Sequence, residues 1–211
     1  MARKIVSTID GPLVLGESDN PLIVTSTGTI TSTGAADGID GAASTACSIT
    51  NKGAVSSAGG WGINLAGAGA VANSGMISGL FGGIEIAGPG MVTNRGTITG
   101  STGIKLDAGG FVVNKAGGSV QGSGKESAIG IEIGGPGIVT NEGSIDAPSW
   151  AILIEGVGTI TNKGTIGAGS EGVAVTLEAG SLENSKGSLI HGGGVDGLGV
   201  LVSSGPEQHP R

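Results

Sequence analysis

The stretch VTNRGTITGSTGIKLDAGG, from Val92 to Gly110, decides the fold, because it recurs along the chain. Its signature is Asn-x-Gly-x-(Ile/Val), followed some six residues later by Gly-(Ile/Val)-x-(Ile/Leu). The asparagine falls at Asn51, Asn73, Asn94, Asn114, Asn141, Asn162 and Asn184, with Ser26 in the equivalent place of an earlier copy. Successive copies lie 20 to 27 residues apart. A near-constant period in this range predicts a solenoid, in which each unit buries its apolar side only against its neighbours.

Composition agrees. Glycine supplies 46 of 211 residues, without the Gly-X-Y period of collagen. Hydrophobic residues make up 37% and recur in register, which separates the chain from glycine-rich disorder. Only Trp61, Phe81, Phe111 and Trp150 are aromatic, fewer than one globular core would use, but enough for a thin stack of Ile, Val and Leu. A net charge of −7 argues against nucleic acid as a partner. The one cysteine, Cys47, cannot form an internal disulfide and is expected as a structural thiol near a corner. The N-terminus has a basic pair but no apolar core of a signal peptide, and no segment is long and apolar enough for a membrane span.

Period-two alternation assigns inward columns. The first holds Val24, Ile49, Val71, Val92, Val112, Val139, Ile160 and Leu182. The second holds Ile30, Val55, Ile77, Ile98, Val120, Ile145, Ile166 and Leu189. The third holds Ile39, Ile63, Ile84, Ile104, Ile131, Ile152 and Val173. These imply two strands per coil with a short third side through AGPGMV and GGPGIV. The asparagines should stack along a corner, hydrogen-bonded to each other and to turn backbone. The glycine two residues later is expected for its access to positive φ. The expected organisation is a cap over residues 1–19, a solenoid of about eight coils over 20–204, and a loose tail over 205–211.

The recurring V-T-N-x-G-T-I, at Val92–Ile98 and with isoleucine first at Ile160–Ile166, resembles the passenger repeats of bacterial autotransporters and haemagglutinin-type adhesins. The resemblance implies a right-handed parallel β-helix at the cell surface, serving as adhesin, stalk or scaffold. Without a secretion signal or a membrane barrel, a self-contained β-helix of this kind also resembles a virion part, such as a capsid decoration protein or fibre segment.

Function should lie on the outward positions. Lys52, Arg95, Lys115 and Lys163 follow the asparagine, and Lys186 lies close by; Asp40, Glu85 and Glu132, then Asp107, Glu155 and Glu178, mark another side. Met91, Phe111 and Ile138 precede the first-column valine in successive coils, and Val113 is also outward. These four are the expected interface, to a protein partner or to a second copy in a homo-oligomer. Thr29–Thr31 and Thr97–Thr99 hint at an ice-binding array that other coils do not continue. Trp61 and Trp150 are expected in corners, with glycan stacking as the alternative. Glu85, Lys105 and Glu132 form the one column resembling a catalytic carboxylate group, and a charge ladder explains them more simply. His191 and His209 have no metal-ligand spacing, HGGGVDGLGV lacks the positions of a calcium-binding nonapeptide, and no nucleophile or phosphate-loop motif is present. The sequence therefore predicts a non-enzymatic protein with no catalytic residues, cofactor or metal.

Overall fold

The computed structural model describes residues 2–44, 46–124, 127–193 and 197–202; the expected tail and His209 lie outside them. Each repeat folds as three strands rather than two. In the repeat quoted above, Gly90–Asn94, Thr97–Gly100 and Thr102–Leu106 form three sides of one coil, called here faces 1, 2 and 3. The chain turns at Asn-x-Gly between faces 1 and 2, so the V-T-N-x-G-T-I-T unit spans two sides. Every strand pairs in parallel with its equivalent in the next coil, as Val71, Val92, Val112 and Val139 do on face 1. The result is a parallel β-solenoid.

Among the described residues, face 2 contains nine strands, from Thr8–Asp10 to Leu189–His191. The coil beyond the expected eight is the N-terminal segment. Arg3–Ile5, Thr8–Asp10 and Leu13–Leu15 each pair in register with the second coil. Among the described residues, faces 1 and 3 share one 16-stranded sheet, because Trp150–Asn162 and Val173–Asn184 run unbroken round the corner between them. The strands end at the earlier corners whether these carry a proline, as at Pro89 and Pro136, or none, as between Leu65 and Gly69 and between Leu106 and Gly110. At Glu155-Gly156-Val157 a bulge between Ile154 and Val157 absorbs the bend.

The inward columns hold as expected in the middle coils and slip at three places. Leu22, not Val24, stacks on Ile49, and Val24 stacks on Asn51. Val24 is therefore the apolar precursor of the asparagine position, which Ser26 was expected to hold. Ile190, not Leu189, stacks on Ile166, leaving Leu189 exposed. The turn after Asn184 is two residues longer than that after Asn94, as is the turn after Asn114; Gly117 and Gly187 carry both through positive φ. Val175, not Val173, stacks on Ile152, while Val173 lies beside Trp150.

The asparagines stack along the Asn-x-Gly corner with their side chains inside the coil. Asn51, Asn94, Asn114, Asn141 and Asn162 are fully buried, and Asn73 nearly so. Each Nδ2 donates to Oδ1 of the next, 2.8–2.9 Å away, from Asn51 through to Asn184. The second amide hydrogen is shared. For Asn94 it reaches Gly96 O at 3.0 Å and Ser119 O, one coil on, at 3.1 Å. Asn94 Oδ1 also accepts the Gly96 N–H at 3.1 Å. A polar spine thus runs inside an otherwise aliphatic core with its hydrogen bonds satisfied. Only the last member, Asn184, is exposed.

The corner glycines serve close stacking, not positive φ. None of Gly28, Gly53, Gly75, Gly96, Gly143 and Gly164 has positive φ. A Cβ on Gly75 or Gly96 would instead lie 2.0 Å from the carbonyl oxygen of the corner glycine one coil earlier. That carbonyl accepts the next coil's backbone N–H, as from Thr97 to Gly75 at 2.9 Å, so it cannot turn away.

Candidate functional site

Because alternate residues of each strand point inward, the outward residues form straight columns. On face 1 one column runs Ser48, Ala70, Met91, Phe111, Ile138 and Thr159, and its neighbour runs Thr50, Ala72, Thr93, Val113, Thr140 and Thr161. No charged residue occurs in these six coils of face 1. Met91, Phe111 and Ile138 are 51%, 52% and 43% exposed, which places them on the surface rather than bent into a corner. Val113 is half-buried beside Phe111. A hollow of about 170 Å³ lies next to this ridge, lined by Thr50, Ala72, Asn73, Ser74, Thr93 and Arg95.

Charge flanks the face on both sides. Lys52, Arg95, Lys115 and Lys163 occupy the Asn-x-Gly corner with face 2. Asp107, Glu155 and Glu178 are exposed at the corner with face 3. Lys115 Nζ lies 3.4 Å from Glu142 Oε1. Glu142 holds the same corner position as Lys115, and with that one exception face 1 is an uncharged strip between a basic and an acidic edge.

Face 3 carries Glu85, Lys105 and Glu132 in register. Lys105 Nζ bonds Asp107 at 2.9 Å and Glu85 at 3.1 Å. These contacts, that to Asp107 foremost, hold its ammonium well above the usual lysine range. Burial pushes the Glu132 carboxyl up. Lys105 thus joins Glu85 and Asp107 in ion pairs on the sheet surface, with Glu132 next to it in the column.

Two coils earlier on the chain, Asp37 and Asp40 share a site. Asp37 Oδ1 accepts the Trp61 N–H at 2.5 Å, and its Oδ2 accepts the Asn64 amide at 2.9 Å. Burial first, and then the neighbouring Asp37, raise the Asp40 pKa to about 6. Between pH 4 and 6 the folded protein therefore keeps a proton that the unfolded chain has released. Stability must fall as pH rises through that window. Asp40→Asn should flatten this part of a melting-temperature-versus-pH curve and raise stability at pH 7 by roughly 1 kcal/mol, after allowance for solvent screening. An unchanged curve would contradict the shared-proton assignment.

The structure also holds a cleft that sequence reasoning missed. It measures about 700 Å³ at the corner of faces 2 and 3 and is lined by Asp146, Ser149, Trp150, Ser170 and Glu171, among others. Its walls include the turns between Ala147 and Trp150 and between Ala168 and Val173, which only the register shows to be adjacent. Trp150 lines this cleft, whereas the Trp61 ring occupies the space that a Cβ on Gly82 would need. Asp146 and His191 reach toward each other across Gly167, whose Cβ would lie 2.7 Å from Asp146 Oδ1 and 2.6 Å from His191 Nε2. Among the described residues, no three His, Cys, Asp or Glu side chains gather as metal ligands. Cys47 is buried, and burial raises its thiol pKa. On face 2, Thr29–Thr31 and Thr97–Thr99 are separated by coils carrying Ala54 and Met76.

Among the described residues, no helix is long and apolar enough to cross a membrane. Compared with known proteins, the chain matches no family model, no curated protein and no solved structure.

Proposed function

We propose that this protein is a non-catalytic structural β-solenoid, an adhesin-like surface or scaffold module that works through face 1. The observation that carries the reading is the ridge of Met91, Phe111 and Ile138, apolar and exposed in three consecutive coils of an uncharged face. A soluble surface rarely keeps such a ridge uncovered. The rest of the molecule supports a scaffold: its repeat period maintains backbone stacking and the amide spine. The resemblance of V-T-N-x-G-T-I to adhesin passenger repeats favours a cell-surface setting. The same ridge would serve a virion component, which also presents a flat face to neighbouring subunits. Ice binding draws no support from face 2, where the threonine pairs are interrupted. Glycan binding would use the Trp150 cleft.

Hydroxyl-radical footprinting tests the interface directly. Met76 is 46% exposed on face 2 and Met91 is 51% exposed on face 1, so dilute purified protein should oxidise at both. In native source material Met91 should be protected several-fold while Met76 is not. Equal oxidation of Met91 in both samples would overturn the reading.

A further inference from the structure

Resting on the reading of face 1 as an interface, we infer that its occupant is a second copy of this chain, laid face to face with the two solenoid axes parallel. Two orientations can place face 1 on itself. In the antiparallel one, a two-fold axis across the strip sets basic edge against basic edge and acidic edge against acidic edge. In the parallel one, the two-fold axis runs along the solenoid, and each basic edge meets an acidic edge. Charge complementarity fixes the choice, since like-charged edges repel and opposite ones steer and orient association.

The levels match as well as the signs. Asp107 precedes and Lys115 follows the strand Gly110–Asn114, so in the parallel pair they meet across the two-fold. Glu155 and Lys163 flank the next such position, at the end of Trp150–Asn162. Neither of these two makes an ion pair within its own copy among the described residues. Shape agrees too. A parallel two-fold about the middle of the strip sets each ridge residue against the neighbouring column of the other copy. Phe111 then covers Val113, and Met91 comes down over Thr93, at the rim of the 170 Å³ hollow. Six strands at ~4.8 Å and five residues at ~3.3 Å make the strip roughly 29 by 16 Å, so with its edges the pair reaches the lower range of specific interfaces.

The test is light scattering on the purified chain over a concentration series. The expected mass is about twice 20.1 kDa at high concentration. Phe111→Glu should return it to 20.1 kDa and melt close to the parent chain diluted to a single copy, because the side chain is exposed there. Lys163→Glu and Glu155→Lys should each weaken pairing about tenfold, and the double reversal should restore it to within about twofold. Chains carrying Thr159→Cys mixed with chains carrying Thr161→Cys should cross-link on oxidation. Ala70→Cys mixed with Thr159→Cys should not. A mass of 20.1 kDa at every concentration, a pair indifferent to Phe111→Glu, or cross-linking of the Ala70 and Thr159 variants would each overturn the proposal. A monomer whose Met91 is still protected in native material would overturn self-pairing alone and leave the interface reading standing.

Discussion

Asn94→Ala should cost about 3–4 kcal/mol, the loss expected when several buried hydrogen-bonding groups lose one shared partner. Asn73 Nδ2 loses its 2.9 Å acceptor, and Asn114 Oδ1 loses its 2.9 Å donor. The Gly96 N–H and the Gly96 and Ser119 carbonyls lose their contacts with the amide. Asn94→Asp should be worse at neutral pH. A carboxylate can still accept from Asn73 and Gly96, but its other oxygen would face Asn114 Oδ1, Gly96 O and Ser119 O, all acceptors. Acidification should partly rescue this variant, because the protonated acid can donate there. Asn184→Ala, at the exposed end of the spine, should cost less than about 1 kcal/mol. Urea denaturation followed by circular dichroism measures all three. Equal losses at Asn94 and Asn184 would contradict the spine.

Gly96→Ala should be at least as damaging, at about 3–5 kcal/mol, or should abolish folding. The added Cβ would lie 2.0 Å from Gly75 O and 2.8 Å from Ser74 C. Both are backbone atoms tied into the stack, so two coils must part. Gly34 provides the contrast, with nothing within 4 Å of its Cβ position and no positive φ. Gly34→Ala should be neutral or stabilising by a few tenths of a kcal/mol, through lower entropy of the unfolded chain. Gly117→Ala separates conformation from space. Its surroundings are open, but its φ is +81°, and the expected cost is about 1 kcal/mol. If Gly96→Ala melted like Gly34→Ala, stacking would not be what the corner glycine serves.

Much of this was legible in the sequence because a solenoid writes its contacts locally. Val92, Ile98 and Ile104 repeat at fixed offsets, and period-two alternation assigns each a side. The outward ridge of Met91, Phe111 and Ile138 follows from the same counting. What the sequence hid depends on register across turns of unequal length. Leu22 and Val24 are both aliphatic at period two, so pattern alone could not tell which stacks on Ile49. Leu189 and Ile190 differ by one residue in a turn lengthened by two. The period showed that the asparagines stack on one another, but a polar side chain gives no sign that the stack lies inside the coil, where Asn94 is fully buried. The glycine at Gly96 had two physical explanations, left-handed φ and close approach, and only stacked carbonyls distinguish them. The cleft at Trp150 arises where two separately unremarkable turns become neighbours.

The buried amide spine ties these results together: it sets the register that aligns the ridge and the charged edges. Side-chain amide hydrogen exchange followed by nuclear magnetic resonance tests it most directly. In deuterated water the Nδ2 hydrogens of Asn73, Asn94, Asn114 and Asn141 should persist far longer than those of Asn64 and Asn184. Loss of all asparagine side-chain signals at one common, rapid rate would contradict the account.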